Sequence, residues 1–173
     1  MSRDRLGTAE TLAMRQAAGR RGNNEGSPMG AIFNVFPLIL IPVLIYNVWA
    51  FGATAANSDA SDVRQHLADP WARIPMASGV EWTVAFGDVL VLLALVLLFI
   101  ELLKSTSTGT AAIFNHALSM LVFIICLVEF LLHPAFATSV FFVILIMALL
   151  DVLAGVVVTI ISARRDVEFA GQH

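Results

Sequence analysis

The chain has 173 residues, 58% of them hydrophobic and 13% charged, whereas a soluble domain carries about a quarter charged residues. That balance excludes an ordinary water-soluble globule. The formal net charge of -3, with basic residues at the ends of apolar runs and no groove-forming cluster, excludes a nucleic-acid-binding surface. Four apolar runs of about 20 residues take up roughly half the chain, which leaves one membrane domain and no separate soluble one. The single cysteine, Cys126, lies inside an apolar run, so an intramolecular disulfide and Cys-rich metal or redox motifs are excluded too.

Residues 1–30 are expected to be a flexible cytoplasmic tail. They carry Arg3, Arg5, Arg15, Arg20 and Arg21, and then a Gly/Asn/Ser/Pro stretch without apolar period. Thr8 is a possible cap for a short helix reaching Ala18. The first span is read at 31–51, an uncharged run long enough to cross a hydrocarbon core of about 30 Å. Pro37 and Pro42 lie inside it and should kink the helix, because each removes a backbone donor. Asn34, Tyr46, Asn47 and Trp49 read as interfacial anchors. Ala53-Thr54-Ala55 resembles a signal-peptidase site, but the run is longer than a signal h-region of about 7 to 15 residues, follows a long polar stretch and contains prolines. The first span is therefore expected to remain attached.

Residues 52–81 form the one longer outer loop. A brief amphipathic helix is expected over 61–68, capped by Ser58 or Ser61 and stopped by Asp69-Pro70, and the aromatic segment 71–82 is expected to fold back onto the headgroup layer. The remaining spans are read at 82–103, 110–132 and 136–162, with 163–173 a short cytoplasmic tail. The connections between these spans are short, which makes them antiparallel neighbours. Eight of the ten basic residues fall on the side of the N-terminal tail, Lys104, Arg164 and Arg165; only Arg64 and Arg73 face the other way. This bias places both termini in the cytoplasm. The preference for Arg over Lys, together with abundant Ala, points by association to a bacterial inner membrane.

Each ionisable group buried in hydrocarbon costs about 2.5 to 3.5 kcal/mol and so asks for a reason. Asp88 and Glu129 fall near the outer ends of their spans, while Glu101, His116 and Asp151 fall toward the inner side. On the third span Asn115, Ser119, Val122, Cys126 and Glu129 form one helical stripe, which should face protein. On the fourth, Ala148, Asp151, Gly155, Thr159 and Ser162 give a small-or-polar series at the spacing that lets helices approach closely. Asp88, Asn115, His116, Ser119, Glu129 and Asp151 are thus the candidate intramembrane polar network. Read functionally, this network is a proton path with His116–Asp151 as its inner pair and Asp88–Glu129 as its outer pair. Read structurally, the same groups hydrogen-bond neighbouring helices, and Glu101 pairs with Lys104 as both reach for the inner surface. The structural reading is preferred, because the two layers are separated by nearly the whole hydrocarbon depth with only Ser119 and Cys126 between them.

Other chemistries find no support. His116 and His133 lie on one helix about 25 Å apart, too far to ligate one haem. No metal-ligand spacing, phosphate-binding loop or nucleophile motif occurs. The expectation is an all-α, four-helix integral membrane bundle without cofactor or metal, proline-kinked in its first helix. It is expected to be non-enzymatic, embedded among membrane lipids, and to act by self-association or as an accessory subunit of a membrane complex. A small proton-coupled transporter or ion channel is the alternative.

Overall fold

The computed structural model describes residues 35–55, 60–104 and 110–170, with side chains over 35–53, 60–104 and 112–161. The Arg-rich tail, residues 31–34, the candidate cap Ser58, the connection 105–109, the side chain of Ser162 and residues 171–173 lie outside them.

A proline holds its predecessor away from the helical region and has no N–H of its own. Accordingly the chain turns at residues 36–39, with Leu40 N donating to Pro37 O at 3.1 Å and Ile41 N to Leu38 O at 3.0 Å. Helix α1 follows, Leu40–Ala55, 16 residues. The continuous kinked helix expected over 31–51 is replaced, among the described residues, by a turn and a later start. Pro37 stands ahead of α1, and Pro42 is in its first turn, where the backbone N–H has no intrahelical acceptor and its loss distorts nothing. At about 1.5 Å per residue α1 is shorter than a hydrocarbon core.

The outer loop is more structured than its sequence suggests. Helix α2 (Ala60–Ala68) buries Val63 and Leu67, and its end is marked by Asp69 N donating to His66 O at 3.3 Å. Strands β1 (Pro70–Pro75) and β2 (Glu81–Ala85) then pair antiparallel, so the fold is mostly helical but not all-α. β-Branched and aromatic residues flank the five-residue connection 76–80, within which Gly79 has a φ of 82°, the left-handed geometry such a loop needs. Ile74 opposes Trp82 and Ala72 opposes Val84, with a bulge at Trp71. The expected start of the second span, Trp82, therefore lies in a strand.

Three further runs, free of proline and rich in Leu, Val, Ile and Phe, form unbroken helices: α3 (Phe86–Lys104), α4 (Thr110–Leu132) and, after a 3-10 turn at Pro134–Phe136, α5 (Ser139–Ala170). Over 86–104, 112–132 and 139–161 they are long and apolar enough to cross a membrane, which is compatible with a membrane protein. The described α4 begins and ends at the residues expected of the third span; α5 starts later than the expected 136 and runs past 162.

Each helix buries one stripe. On α3 it is Gly87, Leu90, Ala94, Leu98 and Glu101, and on α4 it is Asn115, Ser119, Val122 and Cys126. α5 lies antiparallel to α4 in a register fixed at two points. The His116 ring sits over Gly155, and the Phe130 and Phe142 rings meet at 5.5 Å between centroids. α1 is tied to both ends of the bundle: Leu38 contacts Glu101 near the end of α3, and Trp49 contacts Phe86 at its start.

Where the loop returns to the bundle, packing is close. A Cβ at Gly87 would lie 2.7 Å from Val140 Cγ2 and 3.1 Å from Leu67 O, which binds α2, α3 and α5 together. Gly87→Ala should destabilise the detergent-solubilised protein by about 1 to 3 kcal/mol, the ordinary cost of overpacking, read as a lowered thermal midpoint.

Candidate functional site

A charge removed from water needs a full set of hydrogen-bonding partners, and Glu101 has them. It is completely buried. Its Oε2 accepts from Leu38 N at 2.8 Å, and its Oε1 accepts from Asn115 Nδ2 and meets Lys104 Nζ at 2.9 Å. Lys104 in turn donates to Phe36 O at 2.7 Å and to Asn115 Oδ1 at 3.4 Å. The sequence leads one to expect the Glu101–Lys104 pair reaching outward. The pair forms, but it is enclosed, because the 36–38 turn and α4 close over it. The carboxylate also lies ahead of the first turn of α1, where a helix favours negative charge.

At the opposite end Tyr46, read from sequence as an interfacial anchor, is wholly buried instead. Its hydroxyl donates to Ala135 O at 3.0 Å and shares a 2.7 Å hydrogen bond with Thr138 Oγ1. Its ring packs against Phe136 and Phe141, so the amphipathic side chain closes the bundle rather than marking a surface. Asn47 Nδ2 donates to Val43 O at 3.0 Å and to Glu129 Oε2 at 3.2 Å. Asp88 is exposed and its Oδ2 accepts from Ala85 N at 2.9 Å, the half of a capping box that reaches back to the start of α3. The two acids proposed as an outer pair thus have separate partners.

The inner candidates do come together. The α4–α5 register sets Ser119 beside Asp151 and His116 over Gly155, one turn along α5 from Asp151. Asn115, on the same stripe, joins the Glu101–Lys104 group. Ser119 is 2% and Asp151 4% exposed, yet Ser119 Oγ, Asp151 Oδ2 and His116 Nδ1 make no hydrogen bond; the serine and carboxyl oxygens are neighbours without hydrogen-bonding geometry. Of the residues read as helix-packing, Ala148 is buried and Gly155 receives the histidine, but Thr159 is exposed and its hydroxyl donates to Gly155 O of its own helix at 2.9 Å.

Between the two polar ends the buried layer is apolar, with Ala94, Leu98, Val122, Cys126, Ile144 and Ala148. Among the described residues no cluster of three His, Cys, Asp or Glu side chains is arranged to hold a metal ion. Outside the bundle, Trp71, Ile74, Trp82 and Val84 of the hairpin face Val91, Leu92 and Leu95 of α3 across a groove of about 600 Å³, with Asp88 at its rim. The bulge brings Trp71 to the face that carries Ile74, Trp82 and Val84. Both tryptophans are more than half exposed.

The buried ion pair makes a sharp expectation. Glu101→Gln leaves a buried ammonium and Lys104→Met a buried carboxylate, so each should cost about 3 to 5 kcal/mol. The double variant should cost clearly less than the sum, measured by unfolding in a double-mutant cycle. Additive losses would mean that the two charges are not coupled. Comparison with protein-family models, with curated proteins and with solved structures gives no match to this chain.

Proposed function

We propose that this is a multi-pass membrane protein of non-enzymatic type that acts by association, with itself or as an accessory subunit of a membrane complex. The observation that carries the reading is the groove between the hairpin and α3. Two exposed tryptophans and an isoleucine stand over Val91, Leu92 and Leu95, which belong to an apolar crossing-length helix. Large aromatic side chains beside an apolar helix face are what anchors an interface, since they bury much area at small entropic cost. The chemistry of the interior supports it. Glu101, Lys104, Asn115, Asn47 and Glu129 are engaged in ties between helices, and the apolar layer between the two ends offers no polar route for a transported ion.

In the bilayer, we infer, α1 belongs to the first of four crossings. Its ties to both ends of α3 run it along the bundle. Both termini then lie in the cytoplasm, as the basic residues require, and the hairpin lies at the outer surface of a bacterial inner membrane.

Native mass spectrometry after mild-detergent extraction should give a particle heavier than one 18.7 kDa chain. It should be either an integral multiple of that mass or a stoichiometric complex with a second membrane component. Trp82→Ala and Leu92→Ala should weaken that assembly about tenfold or more. A strictly monomeric particle carrying nothing else would refute the proposal.

Topology is tested separately. A membrane-impermeant thiol reagent should label Ser78→Cys in the hairpin on intact cells, and Thr8→Cys only after permeabilisation. Labelling of the N-terminal position from outside would invert the orientation.

A further inference from the structure

Among the described residues, three polar atoms buried between α4 and α5 have no hydrogen-bond partner, and they belong to one neighbourhood. Ser119 and Asp151 are neighbours at 2% and 4% exposure, and His116 Nδ1 lies one turn along over Gly155. A buried polar atom without a hydrogen bond is destabilising, and apolar side chains at these places would have packed without that penalty. Gly155 adds a second observation. A Cβ there would collide with the His116 ring, so a residue without a side chain stands where the imidazole enters. The bundle makes room for this histidine.

We propose that Asp151, Ser119 and His116 form a protonation site that holds one exchangeable proton between a carboxyl and an imidazole. The Ser119 hydroxyl, a donor and an acceptor at once, is suited to bridge them whichever one holds the proton. In one state Asp151 carries the proton and His116 is neutral. In the other the Asp151 O–H bond is broken and an N–H bond is formed at His116 Nδ1, giving a carboxylate and an imidazolium, with no change in total charge. A proton lost to or gained from water then changes that total by one. His116 Nδ1, Ser119 and Asp151 are enclosed, and only the remainder of the half-buried His116 ring reaches the surroundings.

Among the described residues, the titratable groups whose charge acts on Asp151 are His116 from α4, and Glu101 and Lys104 from α3. Glu101 and Lys104 are paired with each other at 2.9 Å, so they frame the site with nearly balanced charge. On the other side Val122 and Ala148 begin the apolar layer, so the proton is bound at this end and not passed across. The inference is independent of the association proposed above. It assigns the bundle a proton as ligand and makes this end of α4–α5 responsive to pH.

The test is a pH series of carbodiimide labelling on the full chain in lipid nanodiscs, with the modified residue located by mass spectrometry. Hydrophobic carbodiimides modify protonated carboxyls. Labelling of Asp151 should change with pH through a single transition. In His116→Gln the midpoint should be displaced by about one pH unit, because the partner that shares the proton is gone. A superimposable curve in that variant, or labelling of Asp151 that does not change with pH, would overturn the proposal. Should His116→Gln fail to fold, the parent decides alone. The ring nitrogen signals of His116 by nuclear magnetic resonance must then show an inflection at the labelling midpoint of Asp151, and unrelated midpoints would overturn it.

Discussion

The arrangement of the bundle depends on one requirement: a polar group enclosed among apolar side chains has no water to fall back on and must find its partner within the protein. Glu101 shows what this demands. Its two oxygens engage the backbone before α1, a side chain of α4 and the ammonium of its own helix, so three elements meet where a single carboxylate needs them. Tyr46 meets the same demand at the other end, through the backbone and hydroxyl that follow α4. α1 is too short and too proline-rich at its start to be placed by its own length. These two ties, ahead of its first turn and midway along it, set its position.

Between those ends the interior is made of apolar stripes, and specificity comes from size. Antiparallel helices of Leu, Val, Ile and Phe slide against one another at little cost unless something interlocks. Here the His116 ring over Gly155 and the Phe130–Phe142 contact fix the register of α4 and α5. That register has a chemical consequence, since it aligns Ser119 with Asp151 and encloses polar atoms that find no hydrogen-bond partner among the described residues. The structural and the chemical sides of the site therefore rest on the same contact.

The hairpin adds a surface of a different kind. Two strands by themselves are marginal, and this pair is closed at its base by Phe86 N donating to Asp69 O at 3.1 Å, beside the close approach at Gly87. Trp71, Ile74 and Trp82 project from it beside the apolar side of α3. Polar ties inside the bundle hold the chain together, and in the function proposed above the aromatic side chains outside it are what meets a partner.

What the sequence determines by itself is local. The lengths of the apolar runs follow from their composition, and the stripe on α4 follows from helical period, since both are properties of neighbouring residues. The same holds for the brief helix before Asp69-Pro70. The hairpin was legible only in part: the Ser78-Gly79 turn and the β-branched and aromatic residues around it carry a signal, but the segment also reads as an interfacial loop. Which polar groups meet was a matter for the tertiary structure. Glu101 and Lys104 look self-sufficient at their spacing, and only the turn at 36–38 and Asn115 close over them. Asp88 and Glu129 share a depth, but Asp88 caps the start of its own helix and Glu129 finds Asn47. Depth along a helix is fixed by counting residues, whereas the direction a side chain faces relative to other helices depends on rotation and register, which distant residues set.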